Sequence, residues 1–190
     1  MSDPETMSDA DAHAEITETI LSYAEYVDSG ESEKWAQLFC KDATFDEGNA
    51  VQGRAQIEAL LPKLLKLFTA TSHHISNIRI NRTSTSEATA TSYVYAWHRK
   101  HDGTDFEFWG RYIDLFAFED DVWRFASRKV EQFGARGLNI KVDQAPRRKF
   151  TSSCPLGIFG RSDKAGSTID RVPCVQRRTS PRPNCGLPSI

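Results

Sequence analysis

The chain has 190 residues, 39 % of them hydrophobic and 11 % aromatic, which suits one domain of ordinary size plus an extension. A mean hydropathy of −0.51, with no apolar run near the roughly 18 residues a membrane helix needs, excludes a helical membrane protein. The net charge of −2 hides a split: residues 134–190 carry 11 Lys+Arg against 3 Asp+Glu, which leaves 13 basic and 23 acidic side chains in residues 1–133.

Met1 to Asp11 is acidic and polar and does not read as a secretory signal, and residues 1–9 are expected to be a disordered start. From Ala10 to Val27, Ile16, Ile20, Ala24 and Val27 recur at helical spacing, and Leu21 and Tyr23 widen the stripe. Asp28-Ser29-Gly30 stops this helix, Gly30 being suited to the left-handed turn beyond a helix end. Glu31 to Cys40 reads as a second short helix, with Ser32 as its cap and Trp35, Leu38 and Phe39 facing inward. A brief strand, Ala43 to Asp46, leads to a turn at Glu47-Gly48-Asn49. Arg54 to Phe68 reads as a third helix with a wide leucine-rich stripe, kinked or broken at Pro62.

After Ser72 the period changes to alternation. Four strands are predicted, Ser72–Asn81, Glu87–Lys100, Phe106–Glu119 and Val122–Phe133, with hairpin turns at His101-Asp102-Gly103 and Glu119-Asp120-Asp121. Helices followed by long antiparallel strands give an α+β fold in which helices close a curved sheet over a pocket. Beyond Phe133 Gly, Pro, Ser and Arg dominate, and residues 134–190 read as a basic, disordered tail. With no aromatic platform, that tail reads as a solvated segment rather than a nucleic-acid site.

Chemistry concentrates at three places. Of the adjacent His73 and His74, strand alternation lets only one face the interior, where a neutral imidazole is suited to moving protons. Asp28, at the helix end, can fix the tautomer of such a His, and Tyr23 lies within about a turn and a half of it. Each also has an ordinary reading, as a half-buried histidine, a turn former and a packing aromatic. Arg128 shares a strand face with Val122, Arg124, Ala126 and Val130, a position that demands an anionic partner. Arg111 is a weaker candidate of the same kind. Tyr93, Tyr95, Trp97, Phe108 and Trp109 are candidates for lining the cavity, although alternation admits only about half of them. The four cysteines show neither CxxC pairing nor zinc-ligand spacing, so no metal is expected, and free thiols suit the cytoplasm.

Tyr23-x4-Asp28-Ser-Gly, Trp35-x2-Leu-Phe, Asp42-Ala-Thr-Phe, Gly53-Arg54, His73-x3-Asn77, Gly110-Arg111-Tyr112 and Trp123-Arg124-Phe125-x2-Arg128 follow one another in order. Together they resemble a SnoaL-like domain, over about residues 10–133, within the superfamily named after nuclear transport factor two. The resemblance implies a cone-shaped α+β barrel. Its dehydrochlorinase and bile acid dehydratase branches imply a cofactor-independent lyase or isomerase with His73 and Asp28 as a pair, Arg128 stabilising the leaving group or enolate, and Tyr23 and Arg111 assisting. Asp28 and His73 also resemble scytalone dehydratase, but that enzyme's second pocket histidine would fall near Arg111, so this chain departs from that pattern. The implied substrate is a hydrophobic cyclic small molecule, and a homodimer or homotrimer is expected. The alternative is a non-catalytic module of the same fold that binds a small molecule or scaffolds a partner.

Overall fold

The computed structural model of the protein describes residues 6–137; nearly all of the basic segment lies outside them. Helix α1 (Asp9–Ser29) opens the fold, capped by the Ser8 hydroxyl, which accepts from the Asp11 N–H. Its stripe buries Ile16, Ile20, Tyr23, Ala24 and Val27 against the sheet. The helix ends at Gly30, whose φ of 74° only glycine adopts without strain. There Gly30 N–H donates to Val27 C=O and Glu31 N–H to Tyr26 C=O, the paired reversal that closes a helix and turns the chain back.

Helix α2 (Ser32–Gln37) is shorter than the sequence suggests. Ser32 is its first residue rather than its cap; Glu31 holds the cap position and makes no capping side-chain bond. Phe39 and Cys40 belong to strand β1 (Phe39–Asp46), because Phe39 pairs with Phe125 on the last strand and the Phe125 N–H reaches the Leu38 carbonyl. A short β2 (Ala50–Gln52) follows. The expected third helix is two pieces, α3 (Arg54–Glu58) and α4 (Leu61–Leu65). The break precedes Pro62, which sits in the first turn of α4, where its missing N–H costs nothing.

Four long strands complete the sheet: β3 (Phe68–Arg82), β4 (Glu87–Lys100), β5 (Asp105–Glu119) and β6 (Val122–Arg136). The first begins at Phe68, four residues earlier than the alternation indicates, and the last runs past Phe133 because Trp109, Phe108 and Glu107 pair with Gly134, Ala135 and Arg136. The order is β2-β1-β6-β5-β4-β3; β1 and β6 run parallel and every other pair is antiparallel. The sheet is an open, curved one rather than a closed barrel.

Its curvature has visible causes. Bulges interrupt β3 between Ser76 and Arg79, where Asn77 has φ 51°, and the β5–β6 ladder beside Gly110 and again at Leu115. At Gly110 an added Cβ would collide with the Glu131 backbone, so the strands approach there as only glycine allows. The β5–β6 turn places Asp120 and Asp121 at φ 52° and 62°, the two left-handed residues a tight hairpin needs. On the concave face of β4, Ala88, Ala90, Ser92, Val94 and Ala96 are small, and α1 lies against the sheet at β3 and β6. Wider toward α4, the same concavity remains unfilled.

Candidate active site

A cavity of about 250 Å³ remains between the helices and the sheet. Leu61, Leu64 and Leu65 of α4, Phe68 of β3, Phe106 and Phe108 of β5 and Val130 of β6 form its apolar walls. Polar groups reach it at few points: Thr71 and His73 of β3, His98 of β4, Tyr23 of α1, Trp35 of α2, Tyr112 of β5, Gln132 of β6 and Glu47 after β1. Among the described residues no lysine or arginine lines it.

His73 and Asp28 meet on this wall. The Asp28 carboxylate lies 2.7 Å from His73 Nδ1, accepts the His73 backbone N–H at 2.8 Å, and accepts the Thr71 hydroxyl at 2.7 Å. The His73 side chain is 7 % exposed and lines the cavity, while Asp28 stands behind it, 27 % exposed. Burial on its own would raise the Asp28 carboxyl; the bonds from the His73 ring, the His73 backbone and Thr71 outweigh it and hold the carboxyl below its ordinary value. An ionised Asp28 fixes the proton on Nδ1 and leaves Nε2 as the basic nitrogen. A carboxylate in the last turn of α1, with no basic residue there, opposes the helix dipole. Such a local conflict is expected where a site rather than a helix sets the residue. His74, as alternation requires, points the other way, beside Tyr95 and exposed.

A second imidazole stands on the same wall. His98 meets His73 edge-on at 5.3 Å between centroids and packs among Phe68, Phe106 and Phe108. Burial, then the nearby His73, push its pKa down to about 4, so it is neutral at physiological pH. Its Nδ1 is buried without a hydrogen-bond partner among the described residues. His98 is thus a second imidazole on the cavity wall that the sequence reading did not single out, while Arg111 does not line the cavity. The sequence signal was present, since His98 continues the inward parity of Val94 and Ala96.

Arg128 lies deeper than expected. It is fully buried and does not line the cavity. Its Nε and Nη2 donate to the two oxygens of the equally buried Asp114, both at 2.8 Å. Its guanidinium is covered by the rings of Tyr23, Tyr112 and Phe125 at 4.0–4.2 Å. Tyr23 and Tyr112, which hydrogen-bond one another, come between Arg128 and the cavity. Burial foremost raises both phenols above their ordinary value, so they remain protonated donors. Asp114, the anion that Arg128 requires, shares the inward face of β5 with Tyr112 and Phe116.

The aromatic candidates divide. Phe108 lines the cavity, but Tyr93, Tyr95 and Trp109 are exposed on the outer face of the sheet, and Trp97 shares that face under Arg99. Register is the reason: His73 pairs with Ala96, which places β4's odd-numbered residues outside. Arg111 is also on the outer face, paired to Glu131 at 2.6 Å and lying over Phe133. Neither Arg111 nor these four aromatics reaches the cavity. Among the described residues no helix is long and apolar enough to cross a membrane, and no group of His, Cys, Asp and Glu is arranged to hold a metal ion.

The curved α+β cone, with helices closing a cavity, is the fold of the nuclear-transport-factor-two-like proteins. A model of the SnoaL-like domain matches residues 8–129, and the chain belongs to that family. A candidate scytalone dehydratase from Novosphingobium aromaticivorans superposes with a TM-score of 0.65 at 27 % identity, covering 70 % of this chain and 91 % of that one. A type 2 hexachlorocyclohexane dehydrochlorinase gives 0.62 at 18 % identity, over 70 % and 93 % of the two chains. A third, the type 3 dehydrochlorinase of Novosphingobium barchaimii, gives 0.61 at 15 % identity, over 70 % and 94 %. The two dehydrochlorinases establish likeness of fold alone. No curated protein sequence matches.

Proposed function

We propose that the protein is a cofactor-independent lyase or isomerase that removes a carbon-bound proton from a hydrophobic cyclic small molecule. The observation that carries this reading is the His73–Asp28 pair: a carboxylate held ionised by three hydrogen bonds, 2.7 Å from Nδ1 of an imidazole that lines an apolar cavity. His73 Nε2 takes the proton, and Asp28 stabilises the imidazolium that results. Tyr23 and Tyr112, protonated and at the cavity wall, act as a pair: one O–H donates to the other phenol's oxygen, and the O–H left free donates to the departing hydroxide or halide or to the developing enolate. Arg128 acts through them, its positive charge beneath both rings making the phenols better donors, while Asp114 holds the guanidinium in place. The apolar walls exclude water and favour a ring of modest size.

The test is proton exchange. Cyclic ketones, 1-tetralone among them, are incubated in heavy water with wild type and with His73→Ala. Deuterium uptake that falls about 10²- to 10⁴-fold in the variant is expected. Binding without exchange across the panel would leave the chain a binding module of the same fold.

The exposed Tyr93, Tyr95, Trp109 and Leu115 favour a homodimer or homotrimer formed through the outer face, to be measured by sedimentation equilibrium under dilution. Free thiols such as Cys40 suit a cytoplasmic setting.

A further inference from the structure

Trp35 is only 1 % exposed and sits among Tyr23, Phe39 and Phe45, with ring centroids 5.4–5.8 Å away. A leucine or phenylalanine fills such a place without carrying a donor. The indole brings an N–H into an apolar cluster, and a buried donor left unpaired costs about 1–3 kcal/mol. Trp35 Nε1 has no acceptor among the described residues. Trp35 lines the cavity, so a molecule held there can supply one.

The charges around the cavity restrict what that acceptor is. Among the described residues no lysine or arginine lines it, and Arg128 is neutralised by Asp114 behind the two tyrosines. Glu47 lines it as well, and ionised Asp28 lies behind His73. A carboxylate or phosphate placed here would be desolvated with no counter-charge among the described lining residues. An uncharged oxygen meets no such penalty.

We infer that Trp35 is a specificity-determining residue whose indole N–H donates to a neutral acceptor oxygen, a carbonyl above all, on an uncharged ring compound held in the cavity. This deepens the proposed function by naming the substrate's chemistry, and rests on that reading only in taking the cavity as a ligand site. It needs no turnover.

The test uses the full chain labelled with ¹⁵N-tryptophan and three probes: 1-tetralone, its hydrocarbon counterpart tetralin, and 1-naphthoate. The Trp35 Nε1–H signal, assigned by its loss in Trp35→Phe, is expected to move downfield with 1-tetralone and to stay in place with tetralin. Trp35→Phe should bind 1-tetralone about three- to tenfold more weakly and tetralin as wild type does. Naphthoate should bind at least tenfold more weakly than the ketone. An unmoved indole signal, or a ketone that binds no better than its hydrocarbon or than naphthoate, overturns the inference. Should Trp35→Phe not fold, Trp97→Phe, Trp109→Phe and Trp123→Phe assign the Trp35 signal by elimination, and the wild-type spectrum still decides. Since binding is read without chemistry, failure of deuterium exchange would discard the proton-abstraction reading and leave this one standing.

Discussion

Replacing Asp28 by Asn keeps the shape of the side chain and removes its charge, which makes it the sharpest probe of the pair. Asp28 accepts three hydrogen bonds, from the His73 ring, the His73 backbone and Thr71. An amide has one accepting oxygen and an NH₂ that only donates. If the oxygen stays with the His73 ring and Thr71, the NH₂ faces the His73 backbone N–H, donor against donor. If the amide flips, its NH₂ faces Nδ1, and the imidazole must move its proton to Nε2, the atom that has to accept one. The first arrangement costs about 1–3 kcal/mol of stability, toward the lower end because Asp28 is 27 % exposed. The second abolishes the base. Exchange into a cyclic ketone should therefore fall by roughly 10²- to 10⁴-fold, more than the stability loss accounts for, and imidazole ¹⁵N shifts should report the change of tautomer. An Asp28→Asn protein that exchanges within about threefold of wild type would refute the reasoning, since a neutral amide would then serve as well as a carboxylate.

Four further outcomes follow from the same structure. His98 binds its proton less readily when folded, at about 4 against 6.5; the unfolded chain therefore takes up the proton first, and stability falls as pH drops from 6.5 to about 4, by up to about 3 kcal/mol. His98→Leu should flatten that part of a denaturation-versus-pH curve. Asp28 is depressed by folding, so its contribution is complete above its ordinary pKa near 4 and disappears as pH falls below it; Asp28→Asn should remove this acid limb in the same experiment. Arg128→Met leaves Asp114 buried and unpaired and should cost about 3–5 kcal/mol by urea titration, much of it recovered in the Arg128→Met, Asp114→Leu double variant. Gly110→Ala drives a Cβ into the Glu131 backbone and should cost about 1–3 kcal/mol, read as a lower midpoint in the same titration.

Local signals in the chain reached the elements more securely than their edges. The stripe of Ile16, Ile20, Ala24 and Val27 and the stop at Gly30 are short-range features, and α1 follows them to within a residue or two. Phe39 and Cys40 look helical beside Trp35 and Leu38, yet pairing with β6, far along the chain, draws them into a strand. The site divides the same way. Asp28 and His73 each announce themselves, one as a helix stop and one as a histidine opening a strand. The need of Arg128 for an anion was legible; that Asp114 meets it was not singled out, although Asp114 shares a strand face with Tyr112 and Phe116. Which face of β4 turns inward was not legible from size: Tyr93, Tyr95 and Trp97 are larger than Ala90, Ala96 and His98, but the smaller set faces α1. Register across the β3–β4 hairpin settles the matter, and register is a property of two strands rather than one.

The parallel pairing of β1 with β6 has a kinetic consequence. The β3–β4, β4–β5 and β5–β6 hairpins close over short turns, whereas β1 must find the last strand across most of the described chain. Loop-closure entropy makes that contact a late one. Phe39, Phe45 and Trp35 form one aromatic cluster with Phe125 and Tyr23, so one side of the cavity is assembled only when β1 docks. Refolding should thus pass through a stage in which the hairpins are protected from hydrogen exchange while β1 still exchanges freely, and ligand binding should return with the slower phase.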